Sequence, residues 1–138
     1  MIQTYFYKGI GLEHLSNLVS ISCTITPGTR QYLISNNIQF TMYAPLAPEW
    51  YTMVQPYLYN EISQEEYTRR YQARLDVLNP HKVAKELGDN VVLLCYEPSD
   101  KFCHRHLAAR WLTLNGYPVK EYIYEKPLSP TLVEEWKF

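Results

Sequence analysis

The chain has 138 residues, an apolar share of 46%, a charged share of 20% and a formal net charge of −1. That length closes one hydrophobic core and is short for two, and the apolar share excludes a disordered chain. A net charge near zero gives no support to non-specific nucleic-acid binding, which calls for a basic excess, and no apolar run approaches the roughly 20 residues that span a bilayer.

One domain over residues 1–138 is therefore expected, with no membrane association. Met1-Ile2-Gln3-Thr4-Tyr5 lacks the basic and apolar regions of a signal peptide, so a cytoplasmic location is expected. Three cysteines cannot all pair and are few for a secreted domain, so reduced thiols are expected. Thirteen tyrosines each bring a ring to pack and a hydroxyl that needs a partner.

Ile2 to Tyr7 reads as an extended segment stopped by Gly9 and Gly11. Leu18 to Cys23 alternates and is β-branched, which predicts a strand closed by a turn at Thr26-Pro27-Gly28. Ile38 to Tyr43 is a further extended stretch, and Pro45 and Pro48 make Ala44 to Pro48 a loop. Ser63-Gln64-Glu65-Glu66 is a capping-box pattern. Tyr67, Tyr71, Leu75 and Leu78 follow on one helical face, so an amphipathic helix is predicted from about Gln64 to Leu78. Asn79-Pro80 and Gly88 bound a second, short helix over His81 to Leu87.

Val91-Val92-Leu93-Leu94-Cys95 is an unbroken apolar run of strand length, the signature of a strand buried on both faces of a parallel sheet. A loop from Tyr96 to Phe102 leads to a helix marked by Leu107, Ala108, Trp111, Leu112 and Leu114 and ended by Asn115-Gly116. Pro118 to Tyr124 is extended, and Ser129-Pro130 caps a last helix carrying Leu132, Val133 and Trp136. With right-handed crossovers, the expected fold is α/β: a small, mostly parallel sheet flanked by helices in a Rossmann-like three-layer arrangement.

Ligands of such sheets bind beyond the carboxyl ends of the strands, where loops lead into helix N-termini. Cys95 to Cys103 occupies that position, and Cys103-His104-Arg105 opens the next helix. Unpaired amides and the helix dipole there favour a thiolate or a bound anion. Cys103 is the candidate nucleophile, with His104 or Glu97 as proton carrier and Arg105 as anion clamp. Tyr96 is a candidate for stacking on a base, together with Phe102 and Tyr43, and Arg30 for a second positive contact. The competing reading makes Cys103 a small core residue, His104 a surface residue, Arg105 a salt-bridge partner and Glu97 its brace.

Val91 to Glu97 followed by Cys103-His104-Arg105-His106-Leu107-Ala108-Ala109 resembles the bacterial and phage family called domain of unknown function 488, with its Leu-Leu-Cys-x-Glu, loop, Cys-His-Arg signature. Leu46-Ala47-Pro48 and Ile62 to Tyr67 are similar to the same family. The resemblance implies a shared α/β fold and a shared site, with no established reaction.

If the strands ending at Cys23 and Cys95 are parallel neighbours, the three cysteines gather near one site. A zinc site from Cys23, Cys95, Cys103 and His104 has suitable ligand types but lacks short Cys-x-x-Cys pairs, so neither metal nor cofactor is expected. The interval from Cys95 to Arg105 departs from the phosphatase loop, and no phosphate-cradling Gly-rich loop is present. The functional expectation is a small enzyme acting on a nucleotide or nucleic acid. The alternative is a non-catalytic binding or protein-interaction module, for which Trp50, Tyr51, Tyr57 and Tyr59 offer an aromatic patch.

Overall fold

The computed structural model describes residues 1–125. Five strands form one sheet among these residues: β1 (Ile2–Phe6), β2 (Leu18–Ser20), β3 (Phe40–Met42), β4 (Val91–Cys95) and β5 (Val119–Glu121). Their order is β3-β2-β4-β1-β5, and every pairing is parallel. The helices are α1 (Pro27–Ser35), α2 (Gln55–Leu58), α3 (Gln64–Asp76), α4 (Pro80–Leu87) and α5 (His104–Leu114).

β4 lies at the centre, between β2 and β1, and all five of its residues are buried. Its apolar side chains divide by strand period. Val91 and Leu93 join a core with Tyr71 and Leu75 of α3, Val83 and Leu87 of α4, and Ala108 and Leu112 of α5. Val92 and Leu94 join a second core with Tyr5, Tyr7, Leu12 and Leu33 of α1. The sheet is thus covered on both faces, which is why its central strand reads as a continuous apolar run. The result is a small three-layer α/β arrangement with a wholly parallel sheet, as the helix-strand alternation implies.

Local chemistry sets the boundaries. The Ser63 hydroxyl accepts from the Glu66 amide at 3.0 Å and starts α3. Asn79 caps α4 through the amides of His81 and Lys82, and Gly88, at φ +77°, ends it.

Two expectations change, and one stretch with no expected element is helical. Thr26-Pro27-Gly28 starts a helix rather than only closing a turn: the Thr26 hydroxyl accepts from the Thr29 amide, and Pro27 takes the first helical position, where its missing N–H costs nothing. β2 ends at Ser20, so Ser22 and Cys23 stand in the loop beyond it. The stretch from Trp50 is helical, a wide turn over Trp50–Val54 continuing into α2. The helix expected after Ser129 lies outside the described residues.

Candidate functional site at the carboxyl end of the sheet

From β1 the chain moves to β2 and β3 on one side of the sheet, then returns to β4 and passes to β5 on the other. The loop after β2 leads to α1 on one face, and the loop after its neighbour β4 leads to α5 on the opposite face. A crevice opens where the loops diverge, at the topological switch point of the sheet.

A cavity of about 420 Å³ fills it, within the range of about 300–1,000 Å³ usual for small-molecule sites. Its floor is buried: Ser22, Tyr67, Cys95, Cys103 and His104. Trp50, Tyr57, Tyr96 and Phe102 line it half-buried, and Thr24, Thr26, Leu58 and Glu97 line it from exposed positions. Phe102 packs against Tyr57 and Tyr67 at ring separations of 5.8 and 5.5 Å. Arg70 donates to the Thr52 carbonyl at 2.6 Å, and the Tyr71 hydroxyl to the Leu46 carbonyl at 2.6 Å. Both bonds hold the segment that carries Trp50 and Tyr57 against α3.

Tyr96 latches the two loops together. Its hydroxyl donates to the Thr24 carbonyl at 2.9 Å and accepts from the Thr26 amide at 2.8 Å. Beneath it, the Tyr7 ring packs on Tyr96 at 4.8 Å, and its hydroxyl is hydrogen-bonded to those of Ser20 and Ser22 at 2.5 and 2.8 Å.

Cys103 caps α5 without a side-chain hydrogen bond, and the loop before it folds back onto the last residue of β4. The sulfurs of Cys95 and Cys103 are joined as a disulfide, while Cys23 is free. The expectation of reduced thiols is therefore corrected for this pair. The parallel neighbours β2 and β4 do bring all three cysteines to one cavity.

His104 is buried rather than on the surface. Its Nε2 lies 2.6 Å from the Ile21 carbonyl, an acceptor, so Nε2 carries the proton and Nδ1 carries a lone pair. That lone pair stands 3.5 Å from Cys95 Sγ and 3.9 Å from Cys103 Sγ. Burial pushes the imidazole down to about 4 against the opposing effect of its hydrogen bond to the Ile21 carbonyl, so the ring is neutral at pH 7.

Arg105 is completely buried and does not line the cavity. Its Nε and one terminal nitrogen donate to the two carboxylate oxygens of Glu121 at 3.1 and 2.7 Å, and its other terminal nitrogen to the Glu97 carbonyl at 2.6 Å. Thr4 adds a bond to Glu121 at 2.5 Å. Burial pushes the Glu121 carboxyl up, but the bonds from Arg105, Ser99 and Thr4 outweigh it and hold it below its ordinary value. In this geometry Arg105 ties α5, β5 and the β4 loop together, in place of the anion clamp expected of it. Glu97 supplies a main-chain oxygen to that brace, while its side chain is one of those lining the cavity. Arg30 is exposed on α1, 5.9 Å above the Phe40 ring, and does not line the cavity. Tyr43 bonds Glu86 at 2.8 Å and is likewise outside the lining.

Sequence reasoning missed Trp50, Tyr57, Tyr67 and Ser22 as lining residues. The aromatic ones looked like an interface patch or a helix face. Ser22 and Thr24 had a usable signal, since they follow the strand that ends beside Cys95.

The DUF488-N3a family model, described as the active DUF488-N3 subclade, matches residues 27–116. The chain belongs to this family. The DUF488-N3a match begins at the first residue of α1 and ends just past α5, so it includes the whole β4–loop–α5 unit. The β2 loop with Ser22 and Cys23 precedes it. No curated protein and no solved structure matches the chain. No helix among the described residues is long and apolar enough to cross a membrane.

Proposed function

We propose that this DUF488-N3a protein is an enzyme that takes a nucleotide-class substrate into the crevice, ring first, and acts on it at the sulfur and imidazole floor. The observation that carries the reading is the position of the cavity between the carboxyl ends of β2 and β4, where parallel α/β sheets bind their ligands.

The lining sets the substrate class. Trp50, Tyr57, Tyr96 and Phe102 suit a planar ring, and base–aromatic stacking contributes about 1–3 kcal/mol per base. Ser22, Thr24 and Thr26 offer hydroxyls to polar ring edges. No Lys or Arg lines the cavity among the described residues, so a phosphate belongs at the exposed rim, where α1 begins. Cys103, Cys95 and His104 are the reacting groups, Glu97 is a proton carrier at the rim, and Arg105 is a positioning residue. The family description's word "active" agrees with an enzyme.

One observation favours a second reading, a non-catalytic nucleotide-binding module: the disulfide leaves neither floor sulfur free to attack. Calorimetric titration of the oxidised and reduced protein with nucleosides and nucleotides separates these. The enzyme reading expects binding in both forms, at least about fivefold weaker in Trp50→Ala by loss of stacking, and turnover only in the reduced form. Binding without turnover in either form would establish the module. No binding in either form would refute both.

A further inference from the structure

We propose that Cys95, Cys103 and His104, once their disulfide is reduced, form a three-ligand site for a thiophilic divalent ion, zinc by ligand chemistry, with its fourth position open to the cavity. Their ligand atoms all lie within 4.8 Å of one another. Two thiolates and an imidazole are a donor set that soft and borderline ions prefer to magnesium or calcium.

The imidazole is already set for ligation. Nε2–H donates to the Ile21 carbonyl, which fixes the tautomer and aims the Nδ1 lone pair at the sulfurs. A metal-binding histidine is usually held by such a bond from its second nitrogen. Charge balance also fits. Two thiolates cancel a divalent ion, so a buried, mainly aromatic cavity takes it without a net charge, and the nearby guanidinium of Arg105 is already paired with Glu121.

Cys23 lines the same cavity but is not in the group of three. The site therefore has three protein ligands and an open side, the pattern of a catalytic zinc centre rather than a closed structural one. Its use toward a substrate rests on the functional reading above; the ligand set does not.

Formation is a balanced two-electron step. A dithiol reductant gives two electrons and two protons to the Cys95–Cys103 bond and becomes a disulfide itself. Zinc then displaces both thiol protons into solvent. The oxidised protein has no thiolate for the ion, so redox state gates the site.

The test is titration with cobalt(II), then zinc, of the full chain in disulfide and phosphine-reduced forms. Reduced wild type is expected to bind one equivalent of cobalt with thiolate charge-transfer and tetrahedral visible bands, which zinc abolishes, while the disulfide form binds none. Cys23→Ser should keep both stoichiometry and spectrum, and Cys95→Ser and His104→Gln should each lose at least about tenfold in affinity. The wild-type redox comparison and Cys23→Ser leave the buried ligands intact, so they decide even if a core variant fails to fold. Absence of the charge-transfer band from reduced, folded wild type overturns the site, as does equal binding by the disulfide form or loss of the band in Cys23→Ser. Zinc binding without nucleoside binding would keep the site and refute the substrate reading. Nucleoside binding to a protein that takes no metal would do the reverse.

Discussion

The two ends of the sheet carry cavities of similar size and different chemistry. At the amino end, a groove of about 470 Å³ runs past Ile2, His81, Lys85, Asp89 and Tyr117, and its polar groups already face water. At the carboxyl end, the slightly smaller cavity has two sulfurs and a neutral imidazole buried on its floor. Volume does not separate them. Topology does: β2 and β4 are neighbours whose following helices pack on opposite faces, the switch point at which parallel α/β sheets bind ligands.

The largest expected effect comes from the brace beside the carboxyl-end cavity. Glu121→Ala leaves the fully buried Arg105 charge without its carboxylate, a loss on the order of 3–5 kcal/mol in urea unfolding. Arg105→Ala should cost less, because the stranded Glu121 is partly exposed and can reach water. Equal, small losses would mean that the guanidinium is not desolvated as described.

Acid should weaken the metal-free protein through His104. The ring faces the Tyr71 ring, Cys95, Cys103 and the Ile21 carbonyl, with the positive Arg105 and the His106 ring, whose own pKa burial lowers, beside it in sequence. Its folded pKa of about 4 lies below the unfolded value of 6.5, so between these the unfolded chain binds the extra proton. Stability is fully present above pH 6.5 and is lost as pH falls toward 4, by about 3 kcal/mol in total. His104→Gln should flatten that slope in denaturant midpoints measured across the window. An unchanged slope would assign it to other groups.

This histidine also marks the limit of sequence reading. The apolar run Val91–Cys95 announced a central parallel strand because its two faces meet two separate cores, and Ser63, Asn79 and Gly88 announced helix ends because capping is local chemistry. The segment Cys95–Arg105 was legible as a site from its place after that strand. The division of labour within it was not. His104 and Arg105 are adjacent and polar, and which one meets the cavity depends on Glu121, 16 residues beyond Arg105, and on the Ile21 carbonyl, 83 residues before His104. The segment that brings Trp50 and Tyr57 to the cavity is held by tertiary bonds from Arg70 to the Thr52 carbonyl and from Tyr71 to the Leu46 carbonyl, for which no spacing rule exists.

Smaller effects separate the two ends further. Tyr96→Phe removes the latch between the β2 and β4 loops, at about 1 kcal/mol of stability and a measurable loss of nucleoside affinity by calorimetry. Tyr117→Phe removes an exposed bond to His81 at the amino end and should change stability by no more than about 0.5 kcal/mol. A larger affinity loss in Tyr117→Phe than in Tyr96→Phe would move the ligand site to the other end.

The most direct test is nuclear magnetic resonance mapping of the backbone amides during titration with a nucleoside. The crevice account predicts shifts concentrated at residues 22–26, 50–58 and 95–104, with residues 81–89 and 116–118 unmoved. Shifts concentrated at the amino-end residues instead, with 95–104 silent, would contradict it.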